Sequence, residues 1–530
     1  MKKKILAAIL AVAVAGLSLA GCGSDAGSSS SGSSGGQAQT ESASQGEEGT
    51  VSEDAGQEPA EVEEIVFAYM TQNNIPEAAD MQRIEDLVNE YTIEKINTKV
   101  NLVVFSNADY MNQVNLMLAS GEQLDIFRAL GTSHLPYIKD GTALDITEYF
   151  DDELKEAKEV FYHDEFLNPT SVNGRVYGIN CMGSNYIPGG FTYRSDITDE
   201  LGIDMSQVKK TEDLTAVFEK VKAAYPDMII IDPNRANDNF GNYLGKVAYI
   251  DPLGDNIQAP VSGVAYQKEP TVVNMYETED FVNICNLARD WYNAGYYASD
   301  AATSTATTAE LFMSGNCFGT FCGLGNPKIA AQYTTNYGYS FENVQITESM
   351  IWADSTGAWM VNSASKAPAA ACKFLNLLYT DDYLDNLIVY GEEGVDYVLD
   401  ENGCAVAPEG YTDLNSVAYT CNMNYHYWGN KWITLPVPGG LIGEENEAQI
   451  AKNYAGEHSV YYGFLFDFSD LQAEYTACQN IVNEYKKSLW VGAADVETTI
   501  NEMNERLYAA GMDKLIAEKQ KQLDEWLSQQ

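Results

Sequence analysis

Residues 65–70 read IVFAYM, six apolar side chains in a row, and the run breaks into the polar stretch TQNNIP. A short continuous apolar run with turn-forming residues behind it reads as a buried strand. From Ala79 to about Asn97, Met81, Ile84, Leu87, Val88 and Tyr91 recur at three- and four-residue spacing, a helix with one buried face. Val100 to Phe105 is the next strand. Asp109 to Ala119 is a second helix, with Val114, Met117 and Leu118 inward and Gly121 placed as its stop. Leu124 to Leu130 returns as a strand. Strand, helix, strand, helix, strand in so short a span argues for a parallel α/β layer and against a sandwich or bundle. Ligands of such sheets bind beyond the carboxyl ends of the strands, which here means the loops after Met70, Phe105 and Leu130.

The rest of the chain continues in kind. NGRVYGIN (173–180) reads as an edge hairpin, and TEDLTAVFEKVKAAYP (211–226) as a helix with Leu214, Val217, Phe218 and Val221 inward. MIIIDP (228–233) is a buried strand feeding the loop NRANDNFGN. FVNICNLARDWYNAGY (281–296) is a helix with Phe281, Ile284, Leu287 and Trp291 on one side, and the tail is helical in two or three long pieces. No internal repeat is present.

The amino terminus is of another kind. Lys2, Lys3 and Lys4 precede an uncharged run from Ile5 to Ala20, a positive region before an apolar core of signal-peptide length. Leu19-Ala20-Gly21-Cys22 resembles the box at which bacterial lipoprotein signals are cut. The expectation is a signal peptide over residues 1–21 and diacylation of Cys22, since two acyl chains suffice for stable anchoring where one does not. Residues 22–64 are rich in Ser, Gly and Glu with almost no large apolar side chain. Such a run cannot offset its ordering entropy and forms a disordered tether with a reach of ~35 Å.

The formal charge of −46, from 77 acidic and 31 basic residues, repels phosphate backbones and anionic lipid. Nucleic acid is excluded as a partner, and membrane contact is expected through the lipid anchor alone. Of nine cysteines, eight remain beyond Cys22, spread out with no CxxC, so neither a disulfide framework nor a zinc knuckle is read from them. The four histidines have no metal-binding spacing. The folded part lacks a GxSxG elbow, a Walker loop and a GxGxxG turn. DENGCAVAPEG (400–410) breaks the calcium-loop order and reads as a turn. No catalytic residue, metal or cofactor is expected. Paired carboxylates of a glycosidase stay open as an alternative, because sequence spacing does not fix their separation.

What remains is aromatic. YTCNMNYHYWGNKW (419–432) and HSVYYGFLFDF (458–468) interleave rings with amides and acids. Rings stack on the apolar faces of pyranoses while Asn, Asp and Arg serve hydroxyls, so the pattern suits sugar. Core packing is the alternative for any single ring.

Several phrases taken together resemble the family 1 extracellular solute-binding lipoproteins, the receptors of ABC importers: NLMLASGEQLDIF from Asn115, YIKDGTALDIT from Tyr137, NGRVYGI from Asn173, YRSDI from Tyr193 and LFMSGNCFGTF from Leu311. SKAPAAACKFLNLLYTDDYLDNLIVYGEEGVDYVL from Ser365 and LYAAGMDKLIAEKQKQLDEWL from Leu507 are similar to the LipO-like Gram-positive branch. The resemblance implies an α/β, type II periplasmic-binding-protein fold, two lobes closing about a hinge on a ligand cleft. Residues 65–180 and 320–390 are expected in lobe 1, and residues 181–319 and 391–530, with the helical tail, in lobe 2. Crossings are expected near Asn180, near Phe318 to Gly323 and near Gly391 to Tyr397.

Carried over by position, the cleft is lined by Tyr69, Thr71, Arg128, Thr132, Ser133, Ser184, Asn185, Asn234, Asn239, Phe240, Trp352, Trp359, Trp428, Trp432, Tyr461 and Tyr462. The implied function is a monomeric, non-enzymatic receptor on the extracytoplasmic face of the membrane that delivers an oligosaccharide to ABC permease subunits. A peptide-binding receptor and a non-transporting adhesin or sensor are the alternatives.

Overall fold

The computed structural model describes residues 61–130, 134–351, 357–421 and 429–529; Cys22 and the expected tether up to residue 60 lie outside them, and the tether's expected end is corrected, since Glu63 and Glu64 already pair with Thr98 and Lys99. The chain begins with β1 (Glu63–Thr71), α1 (Ala78–Ile96), β2 (Thr98–Ser106), α2 (Tyr110–Ser120) and β3 (Ile126–Leu130). Strand β1 runs parallel to β2 in one unbroken register from Glu63↔Thr98 to Thr71↔Ser106, and parallel to β3 at Phe67↔Ile126. Residues 65–71 are buried throughout, because helices cover both faces of a parallel sheet and leave no polar side. Gly121 stops α2 as expected: at φ 71° it adopts the left-handed cap, its N–H directed to the Leu118 and Met117 carbonyls.

Short helices α3 (His134–Lys139) and α4 (Lys155–Glu159) lead to the small hairpin β4 (Ser171–Val172) and β5 (Arg175–Val176), and then to β6 (Ile179–Asn180). A second sheet opens with β7 (Gly189–Arg194), α5 (Ser195–Leu201), α6 (Leu214–Ala224), β8 (Ile229–Ile231) and α7 (Ala236–Asn242). The three-stranded layer β9 (Ile250–Asp251), β10 (Val264–Tyr266) and β11 (Glu269–Val273) follows, then α8 (Glu279–Asn293), α9 (Thr308–Met313), β12 (Cys317–Gly323), α10 (Ile329–Tyr337) and β13 (Phe341–Gln345). The second sheet has the order β13-β7-β12-β8, with β12 parallel to β8 and antiparallel to β7.

The chain returns to the first sheet as β14 (Gly357–Val361), antiparallel to β3 and β6, completing the order β2-β1-β3-β14-β6. Helices α11 (Pro368–Thr380) and α12 (Asp382–Tyr390) cover it. After a long stretch dominated by irregular structure come α13 (Gly443–Ala455) and the tail helices α14 (Gln472–Trp490), α15 (Val496–Ala510) and α16 (Met512–Leu527). The tail shares one core with α7, α8 and the small β9–β11 layer, where Phe240, Phe281, Cys478 and Met503 are all buried.

The expected lobe boundaries are corrected at two places. Strand β13 pairs residue for residue with β7 from Phe341↔Arg194 to Gln345↔Gly190, so residues up to 345 belong with the second sheet. Residues 391–421 and 429–437 pack on the first core, fastened by the Arg83–Asp396 ion pair at 2.9 Å and by the Tyr69–Tyr419 hydroxyl contact at 3.0 Å. The chain therefore passes between the sheets at 181–188, between β13 and β14, and after residue 437. Phe318 to Gly323 is instead the buried strand β12, and Gly391 to Tyr397 lies against α1. Two crossing segments carry isolated bridges, Met182↔Asn430 and Ile351↔His458.

All eight cysteines of the described residues are buried. Burial pushes the Cys322 and Cys478 thiols up to about 11.

Candidate functional site

Where the chain crosses between the sheets, a cavity of about 410 Å³ opens, and its wall draws on the first crossing, the second sheet's side, the strap after residue 428 and α13. Ser184 lies on the first crossing. Asn326 and Gln332 come from the second sheet's side, and Lys431, Trp432 and Thr434 from the strap that follows residue 428. Asn446 and Gln449 stand on α13.

Side chains that sequence reading did not single out hold this wall together. On α13, the Gln449 amide donates to Ser184 Oγ at 3.0 Å and to the Tyr186 carbonyl at 3.2 Å. Asn453, one turn on, accepts the Asn185 and Tyr186 N–H groups at 2.6 and 2.8 Å. In the sequence they are only two amides four residues apart, a spacing that puts them on one helix face without showing that the face is buried. The strap is held from α12: Asn386 donates to the Ile433 carbonyl and accepts the Leu435 N–H, and Tyr390 donates to the Leu435 carbonyl. From the other side, Lys328 donates to the Gly440 carbonyl and pairs with Glu445 at 2.6 Å, while Gln332 donates to the Gly439 carbonyl.

Trp432 is half-buried, its indole N–H donating to the Tyr162 hydroxyl, which in turn donates to the Gly183 carbonyl at 2.6 Å. The Lys431 ammonium stands 5.5 Å from the Trp432 ring centre, and burial holds its pKa below the usual lysine range. It is the one charged side chain among the described lining residues. The remaining polar groups of the wall are amides and hydroxyls.

Of the expected site residues, Ser184, Asn185 and Trp432 are brought together here. Thr132, Ser133, Trp352 and Trp428 lie outside the described residues. Thr71 ends β1 with its hydroxyl on the Cys421 and Thr420 carbonyls, and Asn234 stands after β8 with its amide on Asp232 and the Ala306 carbonyl. Asn239 is buried on α7.

Other expected rings are core residues. Tyr69 and Trp359 pack about Phe67 at 5.4 and 5.0 Å, and Arg128 lies fully buried with its guanidinium 6.0 Å from the Trp359 ring. Phe240 sits between Phe281 and Trp490. Tyr461 is 4% exposed and donates to the Lys268 carbonyl. Each of these rings is buried in this conformation. Tyr462 instead joins His163 and His458, whose ring centres are 3.9 Å apart, in a cluster between the loop after α4 and the chain leaving α13.

No helix among the described residues is long and apolar enough to cross a membrane, and no three His, Cys, Asp or Glu side chains among them gather as a metal site would.

Residues 86–390 match the family described as bacterial extracellular solute-binding protein, and residues 460–528 a domain of unknown function (DUF3502). A Streptococcus pneumoniae serotype 4 protein named carbohydrate ABC transporter substrate-binding protein is 25% identical over 464 residues, 83% of this chain and 87% of its own. Among solved structures, the N-glycan transport solute-binding protein NgtS of Streptococcus pneumoniae superposes with a TM-score of 0.68 at 22% identity, covering 88% of this chain and 99% of that one. A solute-binding protein from Bifidobacterium longum infantis described as HMO-binding gives 0.59 at 16% identity, covering 87% and 98%. Two α/β sheets joined by crossing segments, with a matched profile over more than half its length, place this chain in the bacterial extracellular solute-binding proteins.

Proposed function

We propose that the protein is a lipid-anchored, monomeric receptor outside the cytoplasmic membrane that captures a neutral oligosaccharide and presents it to the permease of an ABC importer. The cavity between the two sheets carries this reading. Its described wall combines one indole, several amides and hydroxyls, and a single ammonium that burial disfavours. Amides matched to sugar hydroxyls, with a ring for an apolar sugar face, are what such a ligand requires. The names of its relatives point the same way: the NgtS structures include complexes with Man1GlcNAc and Man5GlcNAc. In this reading the first sheet with residues 391–437 forms one lobe, and the second sheet with the tail helices forms the other. Ligand bound between them shifts the equilibrium toward closure. The acylated Cys22 with its tether keeps the receptor beside the permease.

Calorimetry of the mature chain against Man5GlcNAc, milk oligosaccharides, plant glycans and peptide pools tests the ligand class. Saccharide binding without turnover is the expected result. Binding to peptides alone would move the protein to the peptide-receptor reading, and hydrolysis of a glycan would make it an enzyme. Incorporation of a labelled fatty acid that disappears in Cys22→Ala tests the anchor.

A further inference from the structure

One buried acid beside the cavity is unused by the fold around it. Asp385 on α12 is 0% exposed, and its Oδ2 lies 2.6 Å from the hydroxyl of Thr434 in the cavity wall. Its Oδ1 is buried with no hydrogen-bond partner among the described residues. The neighbouring Asn386 already holds the strap backbone on either side of Thr434, at Ile433 and Leu435. The strap's backbone is thus held without Asp385, whose side chain, among the described residues, hydrogen-bonds the hydroxyl of the residue between.

We propose that Asp385 is a positioning residue that orients the Thr434 hydroxyl toward bound saccharide, and so selects the sugar hydroxyl accepted at that point of the wall. The inference rests on the cavity being the saccharide site. Two protonation states give Thr434 opposite roles. An ionised carboxylate only accepts, so Thr434 donates its proton to Asp385 and offers lone pairs to a ligand. A neutral carboxyl donates to Thr434 Oγ1 and frees the Thr434 proton for a sugar oxygen. The neutral form fits the site. An unpartnered carboxylate oxygen in an apolar interior is far costlier than the carbonyl oxygen of an acid. Burial raises the acid's pKa well above its ordinary value, and the nearby carboxylates Asp381 and Asp382 add to the rise. Thr434 is then a donor in the wall, matched to a ring, glycosidic or hydroxyl oxygen of a neutral sugar.

The experiment uses the mature chain and Man5GlcNAc as probe, with melting temperatures measured in parallel. Thr434→Val removes the hydroxyl at nearly constant volume and should lower affinity roughly tenfold; its melting temperature should also fall, because the buried Asp385 carboxyl loses its partner, so affinity is read where the variant is fully folded. Asp385→Asn, whose amide still donates to Thr434, should keep affinity within about threefold of wild type. Asp385→Ala should lose about as much as Thr434→Val, and combining them should cost no more than either alone, because both act through one hydroxyl. Unchanged affinity in Thr434→Val overturns the proposal, as does additive loss in the double variant. If Asp385→Ala does not fold, Thr434→Val and Asp385→Asn decide alone: loss in the first with retention in the second supports the proposal, and loss in both overturns it. If the wild type binds none of the saccharide panel, the functional reading fails and this inference with it. Saccharide binding that is indifferent to Thr434 sinks this inference alone.

Discussion

Trp432 and Trp359 have the same side chain and opposite surroundings. Trp359 is 1% exposed on β14 of the first sheet, against Phe67. Trp359→Ala leaves a large cavity and should cost about 3–5 kcal/mol of stability, read as a fall in the denaturant midpoint without ligand. Trp432 stands half-buried in the cavity wall. Trp432→Ala should weaken saccharide binding by about 1–3 kcal/mol in calorimetry, and an unchanged affinity would remove this ring from the site. Sequence reading named both rings, and nothing in it separates them. The distinction depends on contacts such as Tyr69 with Tyr419, 350 residues apart, that no local pattern announces. Ser184 and Trp432 were legible as site candidates because each adjoins a readable motif. Gln449 and Asn453 were missed because a polar pair on a helix ordinarily faces water.

At the scale of elements, the first β–α–β–α–β stretch was legible almost to the residue. A strand covered by helices on both faces must be apolar at every position, and a glycine that ends a helix is the residue that tolerates the left-handed cap. The place of residues 391–421 and 429–437 was not legible, because it is set by Arg83 and Asp396, 313 residues apart. The histidine cluster is another element-scale contact. His458 meets His163, Tyr462 and the Ile351 backbone, and Glu165 lies 3.3 Å from His163. Burial lowers the His458 pKa below its usual 6.5, with the Glu165 charge opposing the shift. A base depressed in the folded state binds fewer protons there than when unfolded, so its contribution is complete above pH 6.5 and falls as pH drops through the lowered value. Melting temperature should therefore decline between pH 7 and 5, and His458→Gln should flatten part of that decline. An identical pH profile in the variant would remove the cluster from the cause.

For the whole molecule, the tail helices α14–α16 are part of the second core. Phe240 and Trp490 approach to 6.2 Å, and the buried Lys519 donates to the Pro252 and Gly263 carbonyls and the Ser262 hydroxyl. A chain ending before residue 460 exposes that core, and should be insoluble or lack a cooperative melt, whereas a separable domain would leave the rest folded. The burial of the eight thiols has a further, practical meaning. These eight shielded thiols should not react with maleimides or disulfide reagents while the protein is folded, since a thiol that the reagent cannot reach does not attack. Two cysteines introduced on the surface, one on each side of the crossing segments, would take fluorophores cleanly, and the native chain could then report its own opening and closing as a change in energy transfer.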